Sequence, residues 1–136
     1  MANVYFGTTS PDELIRVDEN LNQQSAISVS GIAFTLAIDQ DTGDIYVREG
    51  QSDITKYDSS LTEQWRNTSF STGHASYFSF IDDALYLVAK EDGKLGKFDA
   101  SGTKQWETSE AKYRGFTYDG NYIYASYLDQ YDKIDP

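Results

Sequence analysis

The sequence predicts an all-β fold assembled from a repeat of about forty residues, and three observations predict it. A run of the form apolar-Tyr-apolar recurs four times. A run closing on aspartate follows each of them. Between these markers the apolar residues alternate with period two, the spacing of a pleated strand with one buried face.

The markers come in order along the chain. Val4-Tyr5-Phe6 precedes Leu14-Ile15-Arg16-Val17-Asp18, and Ile45-Tyr46-Val47 precedes Ile54-Thr55-Lys56-Tyr57-Asp58. Leu85-Tyr86-Leu87 precedes Leu95-Gly96-Lys97-Phe98-Asp99, and Ile123-Tyr124-Ala125 precedes Tyr131-Asp132-Lys133-Ile134-Asp135. The tyrosines are 41, 40 and 38 residues apart and the closing aspartates 40, 41 and 36. Gln64-Trp65 returns as Gln105-Trp106 after 41 residues. Three independent markers with one period exclude coincidence as an economical explanation.

Each period divides into four short runs. In the second unit Ile32, Phe34, Leu36 and Ile38 share one face of a first strand, with burial of all four expected. Asp39 to Gly43 is a turn, and Ile45 to Arg48 is a second strand. Residues 49–52 turn into a third strand, Ile54 to Tyr57, and Thr62 to Asn67 forms a fourth. The runs are too short for helices. Four antiparallel strands in about forty residues is the signature of a propeller blade, a meander that buries its faces only against neighbouring blades. The expected architecture is β-propeller-like, with about 3.5 four-stranded blades in one domain, residues 1–136. The units run over approximately 1–29, 30–70, 71–110 and 111–136. Val4-Tyr5-Phe6 aligns with a second strand, and Lys133 to Pro136 with the close of a third. The expectation is therefore an incomplete first and last blade and fourteen strands of three, four, four and three. Such an array closes as a small four-bladed ring, pairs with a copy of itself, or belongs to a larger polypeptide or assembly. Two copies would supply twenty-eight strands, enough for seven blades.

Gly31-Ile-Ala-Phe-Thr-Leu-Ala-Ile-Asp39 followed by Gly43-Asp-Ile-Tyr-Val47 resembles the NHL-type propeller repeat. Lys97-Phe-Asp-Ala-Ser-Gly-Thr-Lys-Gln-Trp106 resembles both that repeat and the PQQ-like, quinoprotein-type repeat, whose blade ends on Gly-x-x-x-Trp. Lys56 to Trp65 is the same phrase with Leu61 in place of the glycine. The resemblance implies a propeller fold and nothing about chemistry. Without cysteine the chain has no quinone-binding cysteine pair, no disulfide and no Cys-ligated zinc. No cofactor is expected.

Composition narrows the partners. The net charge of −11 repels phosphate backbones and anionic lipid, so neither nucleic acid nor membrane insertion is expected. No signal-peptide pattern or apolar stretch of membrane-spanning length is present, which leads us to expect a soluble protein of unassigned compartment.

Few residues invite a chemical role. Asp39, Asp41 and Asp44 alternate like a calcium loop but lack the downstream glutamate of that motif, and the other units have hairpin turns there. They are read as a turn, with calcium the alternative. His74 is the only histidine, and no nucleophile elbow accompanies it. Asp82 and Asp83 occupy a hairpin turn. Trp65 and Trp106 hold equivalent positions, which argues for blade packing. Tyr122, Tyr124, Tyr127 and Tyr131, with Tyr77-Phe78-Ser79-Phe80 upstream, are denser than a core requires. These four tyrosines are the candidate ligand-binding residues. The expected function is a non-catalytic structural or interaction module. It would contact itself or neighbouring subunits through residues 1–18, 121–136 or both, as a scaffold, surface or virion component. A carbohydrate- or surface-ligand-binding module is the alternative, and an enzyme on a propeller scaffold the third reading.

Overall fold

A computed structural model describes residues 3–31, 33–50, 53–68, 75–89, 93–109 and 112–136. Every regular element in it is a strand, and the strands form four antiparallel sheets. The first sheet holds β1 (Val4–Gly7), β2 (Glu13–Val17) and β3 (Gln23–Ser28). The second holds β4 (Ala33–Ile38), β5 (Ile45–Glu49), β6 (Asp53–Tyr57) and β7 (Glu63–Asn67). The third holds β8 (Ala75–Ile81), β9 (Ala84–Ala89), β10 (Leu95–Asp99) and β11 (Lys104–Glu107). The fourth holds β12 (Gly115–Tyr118), β13 (Ile123–Tyr127) and β14 (Gln130–Ile134). Within each sheet the strands lie side by side in chain order, the meander of a propeller blade. Among the described residues no helix is long and apolar enough to cross a membrane.

The chain divides into two compact units, residues 1–70 and 71–136, with two sheets in each. In the first unit Tyr5 and Leu14 of the first sheet pack on Ile45, Val47, Tyr57 and Leu61 of the second. In the second unit Ala84, Tyr86, Val88 and Leu95 of the third sheet pack on Ile123 and Ala125 of the fourth. The two cores follow one rule. The tyrosine-bearing face of one sheet covers the apolar face of the sheet that follows it.

The recurring tyrosines occupy equivalent positions. Each pairs across the ladder with a basic residue: Tyr5 with Arg16, Tyr46 with Lys56, Tyr86 with Lys97 and Tyr124 with Lys133. The lysine ammonium lies 5.4 Å from the ring centre in the Tyr46 pair and 5.6 Å in the Tyr86 pair, within cation–π range. Trp65 and Trp106 sit beside these rings, at 6.0 and 6.2 Å between centres, so both tryptophans contribute to aromatic packing.

The expected burial of the first strand of the second unit needs correction. Ala37 is buried, whereas Leu36 and Ile38 are half-buried against the core. Ile32 and the side chain of Phe34 lie outside what the structure describes. The alternation breaks because the register shifts between Ala33 and Thr35, a β-bulge. The extra residue brings Ala33 onto the face of Leu36 and Ile38, where strict alternation would separate them.

A second device recurs in three sheets. Asp18, Asp58 and Asp99 each close a tight turn with one carboxylate oxygen. That oxygen accepts the amides of Asn20 and Asn22, of Ser60 and Thr62, and of Ser101 and Thr103, at 2.9–3.0 Å. The other oxygen accepts the side-chain amide of Gln24, Gln64 or Gln105, at 3.0, 3.0 and 2.7 Å. Each glutamine is the extra residue of a bulge in its strand. The turn needs a left-handed residue, supplied by Leu21, Leu61 and Gly102 at φ of 63°, 65° and 82°. Hydrogen bonds to the turn hold the Asp18 carboxyl below its usual range, and those from Ser101 and Thr103 do the same for Asp99.

Candidate functional site

The four candidate tyrosines do not form one cluster. Tyr127 lies on the inner face of the fourth sheet, packed on the core beside Tyr113 at 6.0 Å with the Lys112 ammonium over its ring at 4.2 Å. Tyr122, Tyr124 and Tyr131 share the opposite face, so Tyr127 drops out of the group. Alternation along β13 accounts for the division, since residues 123, 125 and 127 point one way and 124 and 126 the other. On the outer face Tyr124 and Tyr131 meet edge to face at 6.4 Å, and Lys133 lies 3.3 Å from the ring centre of Tyr122. The Tyr124 hydroxyl donates to Asp119 at 3.0 Å, which raises the tyrosine pKa. Tyr131 and Lys133 are exposed, and Tyr122 and Tyr124 half-buried. Upstream, Tyr77 is exposed and the ring lies against Gly115, where a Cβ would come within 3.1 Å of it.

The first sheet has a contrasting outer face. Val4, Phe6, Ile15, Val17 and Ala26 share it by the ladder register, and none of them carries a charge. On the inner face, the Arg16 guanidinium donates to the Ser59 carbonyl at 2.7 Å. The Tyr5 hydroxyl reaches the same oxygen at 3.5 Å. The pair of tyrosine and base thus grips the aspartate turn of the following sheet.

The aspartates at 39–44 make a self-contained turn. Both Asp39 oxygens are engaged, one by the amides of Asp41 and Thr42 and the other by the Thr42 hydroxyl at 2.7 Å. Burial pushes the Asp39 carboxyl up, and these hydrogen bonds with the nearby Lys56 charge bring it below the ordinary value. Asp44 pairs with Lys56 at 2.7 Å. Millimolar calcium is expected to leave the melting temperature unchanged. A rise of several degrees in a thermal scan would show that the ion binds the native state. His74 lies outside the described residues. Asp82 and Asp83 form the β8–β9 turn, both with positive φ, and Asp82 accepts the Tyr118 hydroxyl at 2.5 Å, pushing that tyrosine up to about 12.

One polar cluster escaped the sequence reading. Glu49 is 1% exposed. One oxygen accepts the Tyr57 hydroxyl at 2.5 Å, and the other accepts the Ser30 amide, the Ser30 hydroxyl and Arg66 Nη1 at 2.8–2.9 Å. Arg66 also pairs with Glu63 at 2.9 Å. The available signal was a break in the repeat: Arg48-Glu49 stands where the third unit has Val88-Ala89. With four donors on one carboxylate, the arrangement ties β5, β6, β7 and the β3–β4 connection together.

Four propeller-type sheets define the class of the fold: the chain is built of β-propeller blades. Solved structures agree. BamB from Moraxella catarrhalis matches 98% of this chain with a TM-score of 0.76 at 17% identity, and the matched part is 42% of BamB. Kuenenia stuttgartiensis hydrazine synthase matches 98% with a TM-score of 0.78 at 15% identity, again over 42% of that chain. The Saccharomyces cerevisiae protein Sqt1 matches 93% with a TM-score of 0.73 at 12% identity, over 38% of its length. The chain thus spans about two fifths of these structures. No protein-family model matches it, and no curated protein does.

Proposed function

We propose that this chain is a non-catalytic protein-interaction module that assembles with protein subunits through its first and last sheets. One observation carries the reading. Of six exposed large hydrophobic residues among those described, Val4, Phe6, Leu21, Leu128 and Tyr131 belong to the first and last sheets and their turns. Only Tyr77 belongs elsewhere. Apolar surface concentrated in this way marks an interaction site rather than ordinary scatter. The propeller scaffold of the structural neighbours serves both enzymes and non-enzymes, so the reading rests on the surface and not on the fold.

Light scattering across micromolar to millimolar protein tests it. The expected result is a mass above 15.3 kDa that grows with concentration. A constant single-chain mass over the whole range would rule out self-assembly. The exposed ring of Tyr131 also favours a sugar-binding reading. Glycan-array binding that disappears in Tyr131→Ala would establish that alternative.

A further inference from the structure

We propose that the groove between β8 and β12 takes an extended basic segment of a protein partner, with an arginine side chain lying over its aromatic rings and held at Asp82. The groove belongs wholly to the second unit and lies on the inner face of the fourth sheet. It is separate from the assembly surfaces, and its test is independent of theirs.

The repeat marks the place. Among the described residues, Tyr77 is the one exposed large hydrophobic residue outside the first and last sheets and their turns. Its ladder partner is Val88, and the equivalent pairs are Thr35 with Arg48 and Gly115 with Ser126. One strand position thus carries threonine, tyrosine and glycine in three successive sheets, where repeated packing alone predicts one residue type. The tyrosine and the glycine fit each other. The Tyr77 ring lies on Gly115, where a Cβ would come within 3.1 Å of it, yet the residue is 53% exposed. A ring held on one side and open on the other is a platform that loses little entropy on binding.

The platform borders a cavity of about 370 Å³, a size typical of ligand sites. Tyr77, Ser79 and Ile81 line it from β8, and Phe116, Thr117 and Tyr118 from β12. Within their sheets β8 and β12 each pair on one side only, so the strand edges there offer main-chain donors and acceptors to an incoming chain. The run of strand from Tyr77 to Asp82 is roughly 16 Å long at about 3.3 Å per residue. An extended peptide of about five residues has the same length.

The sign of the charge selects the occupant. No lysine or arginine is among the described lining residues. One Asp82 oxygen accepts the Tyr118 hydroxyl. Among the described residues no donor engages the other Asp82 oxygen or the Asp83 side chain. The bond to Asp82 comes first in pushing the Tyr118 hydroxyl up to about 12, and the charges of Asp82 and Asp119 add to it. Lys133 offsets part of the Asp119 charge. Aromatic rings leading to a carboxylate attract a cation. Arginine suits the groove better than lysine, because a planar guanidinium both stacks on a ring and forks onto a carboxylate.

The test is a titration of the amide NMR spectrum to millimolar ligand. The probes are a blocked pentapeptide of alternating glycine and arginine, its uncharged citrulline counterpart, and chitotriose. Shifts should fall on residues 77–83 and 115–119 with the arginine peptide and be absent with the citrulline peptide. Asp82→Asn keeps a residue suited to the left-handed turn, and Tyr77→Ala removes an exposed ring, so both should keep the wild-type circular dichroism. Affinity should fall roughly tenfold in Asp82→Asn. It should fall about two- to fivefold in Tyr77→Ala. Glu19→Gln removes the same charge from a turn of the first sheet and should leave affinity unchanged.

Other outcomes overturn the proposal in distinct ways. Shifts scattered over the acidic surface and weakened equally by Glu19→Gln reduce the binding to diffuse charge attraction. Equal shifts from the citrulline peptide place recognition in the main chain and remove the arginine. Shifts at these residues from chitotriose alone make the groove a sugar site. A flat titration with every probe excludes the arginine segment as its occupant.

Discussion

Glu49→Ala should lower the unfolding free energy by about 3–4 kcal/mol, read from urea denaturation. The carboxylate is buried and accepts four hydrogen bonds, so truncation leaves the Tyr57 hydroxyl and both Ser30 donors without their acceptor. Each buried donor left unsatisfied costs about 1–3 kcal/mol. Arg66 softens the loss, because it is partly exposed and keeps Glu63. Acid should act on the same group. Burial pushes the Glu49 carboxyl up, but the bonds from Tyr57 and Ser30 outweigh it and hold the pKa below the ordinary value. A depressed carboxyl contributes stability that is complete above its unfolded pKa, roughly 4.3, and is lost as pH falls through the folded value. The wild type should therefore lose stability more steeply below about pH 4.3 than Glu49→Ala does. Parallel acid profiles for the two proteins would show that the carboxylate is not held as described.

Tyr86→Ala should cost about 3–5 kcal/mol, the range for removing a buried aromatic ring. Tyr86 is 1% exposed and packs against Trp106 at 6.2 Å and Phe116 at 6.4 Å, between the third and fourth sheets. The melting temperature should fall by roughly 10 °C or more. Tyr124→Ala removes the same side chain at the same repeat position from a half-exposed setting, and its effect at low protein concentration should be much smaller. Equal losses would mean that both rings are buried alike.

The repeat, the sheet class and the equivalence of the four tyrosines were legible in the sequence because period-two alternation and a fixed spacing are local signals. The bulges were not. A one-residue register shift at Ala33–Thr35 leaves no local mark, yet it decides which side chains share a face. The division of Tyr127 from Tyr122, Tyr124 and Tyr131 was in principle readable from alternation, but aromatic density obscured it. Glu49 and Arg66, seventeen residues apart, become partners only when β6 lies between their strands. The closing aspartates and the Gln-Trp pairs served as markers of period. Their shared role, one side chain accepting from the other across a bulge, needed coordinates to see.

That bracket has a consequence for how such chains change in length. Every hydrogen bond of the Asp58 carboxylate to its turn and to Gln64 lies within one unit, as do those of Asp18 with Gln24 and Asp99 with Gln105. A unit copied or deleted as a whole carries its corner fastening with it, and only the sheet-to-sheet contact must be remade. Tandem duplication of single blades therefore needs no compensating change elsewhere in the polypeptide. Grafting the segment from Ser30 to Asn67, which keeps the Ser30 donors to Glu49, into another array is the protein-engineering counterpart of that freedom.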